Sequence, residues 1–257
     1  MKKHIISYSG GLASFFEAKL CIEKYGKENV ELVFCDTKSE NYDLYRFLDD
    51  TEKYLDKKIV YLSEGRNIWQ VAFDRNYMFN SMVAECTTKL KIEMFMKYIK
   101  QYNINDITVH IGYDYTELHR LERTRPYYDC EVDSLISRSE LTKQNMKDEL
   151  CKIGILLPLL YRLGFAHNNC NGFCFKAGIG HFKQLYLKMP DVFDYHMNKE
   201  LELREQMSKD VSILKRFGGP YTLYQLKQDF IRNGTQLSFD EEFDIGGCSC
   251  FMGDEKL

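Results

Sequence analysis

The sequence predicts an α/β fold: a five-stranded, mainly parallel sheet followed by a helical appendage that carries cysteines. Three observations predict it. Short apolar runs alternate with longer stretches of helical periodicity, the pattern of parallel strands joined by crossover helices. The first run enters the turn Ser9-Gly10-Gly11, and the second ends at Asp36, about 27 residues later, which is close to one βαβ unit. From about residue 165 the strand-like runs give way to helical segments, with a cysteine pair at each end of the region.

Composition narrows the function classes. The chain has 257 residues and is 44% hydrophobic, enough for one large domain or a domain with an appendage. Its 35 Lys+Arg against 38 Asp+Glu give a net charge of −3, which argues against a generally basic nucleic-acid binder. No run of about 18 apolar residues predicts a membrane span. The first residues lack a signal peptide's apolar stretch. Nine cysteines in such a chain suggest reduced thiols or metal ligands, and a cytoplasmic location is expected.

In order, residues 3–9 predict a buried strand and 12–25 a helix with Gly26 as its stop. Glu31–Cys35 is the second strand, 41–55 a helix with Leu44, Leu48 and Leu55 inward, and Lys58–Leu62 the third strand. A helix over 67–75 carries Trp69 into the core. Another starts at Glu85-Cys86-Thr87-Thr88 and runs to about 101. Ile107–Gly112 is the fourth strand. Asp114 and Glu117 have capping-box spacing, and Leu135-Ile136 is the candidate fifth strand. A helix over 142–153 ends at Gly154. Helices over 176–188, from Pro190 to about 208, and from the Thr222/Gln225 capping box to about 232 make up the appendage. The division is therefore 1–160 for the sheet domain and 161–257 for the helical region with its two cysteine pairs.

The candidate chemistry gathers at strand ends. Ser9, Gly10, Gly11 and Ser14 form a turn whose amides and hydroxyls suit an anion, because free N–H groups and the helix dipole both favour negative charge. Asp36-Thr37 ends the second strand, where ligands of open parallel sheets bind; its alternative role is to cap the next helix. Lys89 and Lys91 near a helix start oppose the dipole and make sense facing a polyanion, though solvated lysines are the commoner case. Arg120 and Arg123, three apart behind Gly112, share a helix face that could clamp phosphate or sulfate oxygens, or simply be solvated. Cys170 and Cys174, with Cys248 and Cys250, supply four thiolates for zinc or an iron–sulfur cluster; Cys86 is a fifth candidate.

Ser9-Gly10-Gly11-Leu12-Ala13-Ser14 resembles the phosphate loop of the PP-loop (adenine nucleotide alpha-hydrolase-like) superfamily. Cys86-Thr87-Thr88-Lys89-Leu90-Lys91, then Gly112, Glu117, Arg120 and Arg123, resemble the phosphoadenosine phosphosulfate reductase branch. The resemblance continues through Asn168-Asn169-Cys170 and Gly246-Gly247-Cys248. It implies a Rossmann-like sheet with ATP or another adenine nucleotide across the strand ends, contacted by Ser9, Gly10, Gly11, Ser14, Asp36, Thr37, Lys89, Gly112 and Arg123. Most branches use magnesium and split ATP into AMP and pyrophosphate to activate an acceptor, here a small molecule or RNA. The reductase branch instead uses a cysteine nucleophile. Lys91, Arg120, Cys248 and Cys250 are the candidate catalytic residues, and a homodimer is compatible. The family pattern often has Asp where this chain has Ala13, and one terminal cysteine where this chain has two.

Overall fold

The structure, a computed structural model, describes residues 2–244. Chain order gives β1 (Lys3–Ser7), α1 (Leu12–Tyr25), β2 (Val30–Cys35), α2 (Tyr42–Leu55), β3 (Ile59–Leu62) and α3 (Ile68–Arg75). Next, α4 (Glu85–Thr87) passes through a π-helical turn (Thr88–Ile92) into α5 (Glu93–Ile99). Then come β4 (Ile107–Ile111), α6 (Leu118–Thr124), β5 (Glu131–Asp133), α7 (Lys143–Lys152) and α8 (Leu159–Arg162). The second half holds α9 (Ile179–Lys188), α10 (Pro190–Met207), a hairpin of β6 (Leu214–Arg216) and β7 (Gly219–Tyr221), α11 (Leu223–Asn233) and α12 (Phe239–Phe243).

The five strands are all parallel, in the order β3-β2-β1-β4-β5. The order reverses between β1 and β4, and a doubly wound sheet binds ligands in the crevice at that point. Both strands are buried along nearly their whole length, as expected of parallel strands covered on two faces. Their carboxyl ends, Ser7 and Ile111, are register partners, so the loops after them emerge side by side.

Two expectations are corrected. The fifth strand is Glu131–Asp133, and Leu135-Ile136 lead instead into a 3-10 turn. The reason is Glu17 of α1: its carboxylate accepts the Leu135 and Ile136 amides at 2.9 and 2.8 Å, which would otherwise be available to a strand partner. The appendage is also not purely helical, because the β6–β7 hairpin interrupts it at Phe217-Gly218, both with positive φ.

The core is divided by the sheet. One cluster joins α1, α2 and α7 through Phe15, Phe47 and Met146; another joins α5 and the opposite sheet face through Phe95 and Val109. The third joins α3 and residues 78–90 to the appendage, with Trp69 against Phe173 and Phe175. Glu200 of α10 is fully buried there and accepts the amides of Ile213 and Leu223, pinning the hairpin and α11.

Candidate active site

The first cavity, about 100 Å³, lies at the carboxyl ends of β1 and β4. Ser7, Ser9, Gly11 and Ser14 line one side, Gly112, Asp114, Glu117 and Arg120 another. The sequence explains the loop locally. Gly10 has φ +71°, and a Cβ there would meet Leu44 Cδ1 at 2.4 Å, so only glycine makes this turn. Gly11 sits at the N-cap of α1 and has no side chain to cap it, which leaves the helix start suited to an anion. Ser9 Oγ donates to Ser14 Oγ at 3.1 Å, and Ser14 Oγ to the Gly11 carbonyl at 2.9 Å. Ser7 Oγ is buried with no hydrogen-bond partner among the described residues, and it lines the cavity.

Gly112 lets β4 approach this loop. A Cβ on it would lie 2.6 Å from the Ser14 nitrogen. Beyond it, Asp114 caps a short 3-10 turn that leads into α6, as its spacing with Glu117 predicts. Arg120 then faces the cavity, paired with Glu117 and stacked 4.6 Å from the Tyr113 ring centroid. Arg123 is exposed and lines neither this cavity nor the next.

Residues from the second half close the cleft. Tyr161 OH accepts the Leu12 amide at 3.3 Å, and Asn168 Nδ2 donates to the Gly10 carbonyl at 3.0 Å. Lys143 and His167 also line it. Burial, then the positive charge of Lys143 and Arg120, holds His167 down to about 4, so it is neutral at pH 7. Sequence reasoning missed Lys143, Tyr161 and His167, and met Asn168 only as part of the block Asn168-Asn169-Cys170. Lys143 carried a usable signal: it is the first residue of a helix capped by Thr142, where a cation opposes the dipole.

A second cavity, about 140 Å³, shares Ala166, His167 and Asn169 with the first. Cys86, Cys170 and Cys174 all line it, together with Thr37 and Lys91. The π-helical turn brings Cys86, Thr87 and Lys91 to one wall. The opposite thiols ride on a left-handed turn, with φ of +46° at Cys170, +53° at Asn171 and +80° at Gly172. Such strain persists only where surroundings hold it. Glu40 does so: its carboxylate accepts the Cys170 amide at 2.7 Å and the Thr37 hydroxyl at 2.9 Å, and lies 3.9 Å from the buried Lys91 ammonium. Asn41 adds a bond to Asn171 at 2.6 Å.

Other predicted residues sit elsewhere. Asp36 lines neither cavity. Burial opposes its ionisation, but bonds from Lys38 and Tyr45 outweigh it and hold the carboxyl below its usual range. Lys89 pairs with Glu93 at 2.5 Å and is likewise outside both cavities. Cys248 and Cys250 lie outside the described residues.

Glu17, Cys21 and His110 form a separate, fully buried group whose donor atoms lie within 4.8 Å of one another, a set that could hold a metal. Both Glu17 oxygens already accept backbone amides, and His110 bonds Glu17 on one side and His4 on the other. This group lines neither cavity.

Residues 3–120 match the family model of the phosphoadenosine phosphosulfate reductase domain. This stretch belongs to that family. The matched stretch contains the Ser9–Ser14 loop, Lys91 and Arg120, and its family is one of the PP-loop superfamily of nucleotide-binding enzymes. Lys143, Tyr161, His167 and the thiols at 170 and 174 lie beyond the matched stretch. No curated protein matches the chain. No helix among the described residues is long and apolar enough to cross a membrane.

Proposed function

We propose that the protein is an ATP-dependent adenylating enzyme acting in sulfur transfer or nucleobase modification, on a small molecule or RNA. The observation that supports this reading is the pairing of an anion cleft with an adjoining thiol-lined cavity through the shared wall of His167 and Asn169. A carbonyl-type oxygen of the acceptor would bond to the α-phosphorus while the α–β bridging P–O bond breaks. Pyrophosphate leaves with that electron pair. A nucleophile then attacks the activated carbon, and AMP departs. Arg120, Lys143 and the amides of the loop would bear the charge of the leaving pyrophosphate.

Carboxylate oxygens are the donors that magnesium takes. Asp114 and Glu117 are carboxylates in the cleft, and they would hold the ion in place of the loop carboxylate that Ala13 lacks. Magnesium supplies charge neutralisation at the leaving group. Cys170 and Cys174, with Cys248 and Cys250, would hold zinc or an iron–sulfur cluster; Cys170 and Cys174 line one cavity, and thiolates suit either group.

The family match, with Lys91 and three thiols in one cavity, favours a second reading as a sulfonucleotide reductase. There Cys248 or Cys250 would attack the sulfur of an activated sulfate. The sulfur–oxygen bond to the nucleotide phosphate breaks, and a second thiol releases sulfite while a disulfide forms. Ala13 supports a third reading, a nucleotide-binding module without turnover. Calorimetry with ATP and magnesium tests what all three share; absence of adenine-nucleotide binding at millimolar concentration overturns them together. Acceptor-dependent pyrophosphate release supports adenylation. Thiol-dependent sulfite release supports the reductase, and tight binding without either product supports the silent module.

A further inference from the structure

We infer that the second cavity is the acceptor subsite, and that it takes a neutral, planar, single-ring molecule with a cyclic-amide edge. This rests on the reading of the neighbouring cleft as a nucleotide site, and it applies to the enzyme without a metal at Cys170 and Cys174, the alternative to the thiolate site proposed above. Size is the first argument. At about 140 Å³ the cavity is close to the roughly 150 Å³ that accommodates a benzene-sized ring, so a single ring fits within it.

Charge is the second. The cavity's cation, Lys91, is buried and already faces Glu40, so a charged acceptor would leave water without gaining an uncompensated partner. His167 and His181 on its walls are both held below their ordinary range, by burial first, and add no positive charge at pH 7. The remaining polar lining combines the Asn169 and Gln184 amides with the Thr37 and Thr87 hydroxyls, groups that both donate and accept and so match the donor–acceptor edge of a cyclic amide. Phe173 and Phe175 supply aromatic wall.

Position is the third. The wall shared with the anion cleft puts one edge of a bound ring beside the place where nucleotide phosphates would lie. His167 stands on that wall. As a neutral imidazole it is able to accept the ring N–H proton when the ring oxygen is activated.

The test uses 2-pyridone, the simplest ring of this class, and pyrophosphate, with binding followed by calorimetry and ligand-observed NMR on the full chain. Two variants plug the cavity from different elements, Ala177→Leu and Thr87→Leu, and neither residue lines the anion cleft. The expected result is millimolar 2-pyridone binding, weakened at least tenfold in both variants, with pyrophosphate affinity kept within twofold; that retention also shows that the variants fold. Equal 2-pyridone binding by wild type and both variants overturns the inference. So does preference for a charged ring such as nicotinate over nicotinamide, or exclusion of the ring by a metal found at the thiols. If pyrophosphate itself fails to bind wild type, the nucleotide reading of the cleft fails; pyrophosphate binding without ring binding defeats this inference alone.

Discussion

Gly112 decides how closely β4 approaches the Ser9–Ser14 loop, because the atoms a Cβ would strike are backbone atoms of Ala13 and Ser14, which cannot rotate away. Gly112→Ala is expected to fold but to bind pyrophosphate at least tenfold more weakly, measured by calorimetry beside circular dichroism. Glu40 acts on the other cavity. Glu40→Gln keeps the shape but loses the charge that faces Lys91 and strengthens the bond to the Cys170 amide. A charge-assisted bond of this kind contributes about 2 kcal/mol, and urea unfolding should show a loss of that order. These two residues also show what a sequence reveals at this scale. Gly112 ends a strand and belongs to a recognisable block. Glu40 is one carboxylate among many, and its partner lies 130 residues away. Asp36 stood at the expected strand end, but Lys38 and Tyr45, both near in sequence, hold its oxygens.

Elements with local causes were legible. The Asp114/Glu117 and Thr222/Gln225 spacings both form capping boxes, since the bonds involved span only three residues. The π-helical turn at Thr88–Ile92 was not legible, because its residues have ordinary helical propensity and only the register differs. The hairpin between α10 and α11 was too short to show an alternating pattern, and its stability comes from outside itself. Glu200 is the outside contribution, and it makes the unit sensitive to pH. Burial pushes its carboxyl up to about 7, against the pull of the two amides it accepts. The folded state therefore holds a proton that the unfolded chain, near the ordinary value of 4.5, has released. That stabilisation is complete below about 4.5 and is lost as pH rises through about 7. Wild-type urea midpoints should carry this downward contribution between pH 5 and 8, and Glu200→Gln should remove it. An unchanged pH slope in the variant would show that Glu200 does not carry the effect.

For the molecule as a whole, the sequence pattern changes from about residue 165, and it suggests a division at residue 160. Packing does not divide at the same place. Ile68, Trp69, Val71, Phe79 and Leu90, all from the first 160 residues, are buried in one cluster with Phe173, Phe182, Phe193 and Leu226 from beyond it. Trp69 Nε1 donates to His196 Nδ1 at 2.7 Å, and that imidazole stacks on Phe173 with centroids 3.7 Å apart. The appendage also holds the Ser9–Ser14 loop through Tyr161 and Asn168. Long-range pairings of this kind have no local pattern, so the sequence alone suggested two sequential units with a modest second core. The consequence concerns folding. A chain ending at residue 160 would expose the apolar faces of α3 and of residues 78–90 to water, at roughly 1.5–3 kcal/mol for each large side chain. Against a net stability of about 5–15 kcal/mol, the loss of several such side chains is decisive. Residues 1–160 alone are therefore expected to be aggregated or molten, with strong binding of a hydrophobic dye and poor amide dispersion in NMR spectra. A well-dispersed spectrum and a cooperative urea transition from that fragment would show instead that the sheet and its helices fold without the shared core.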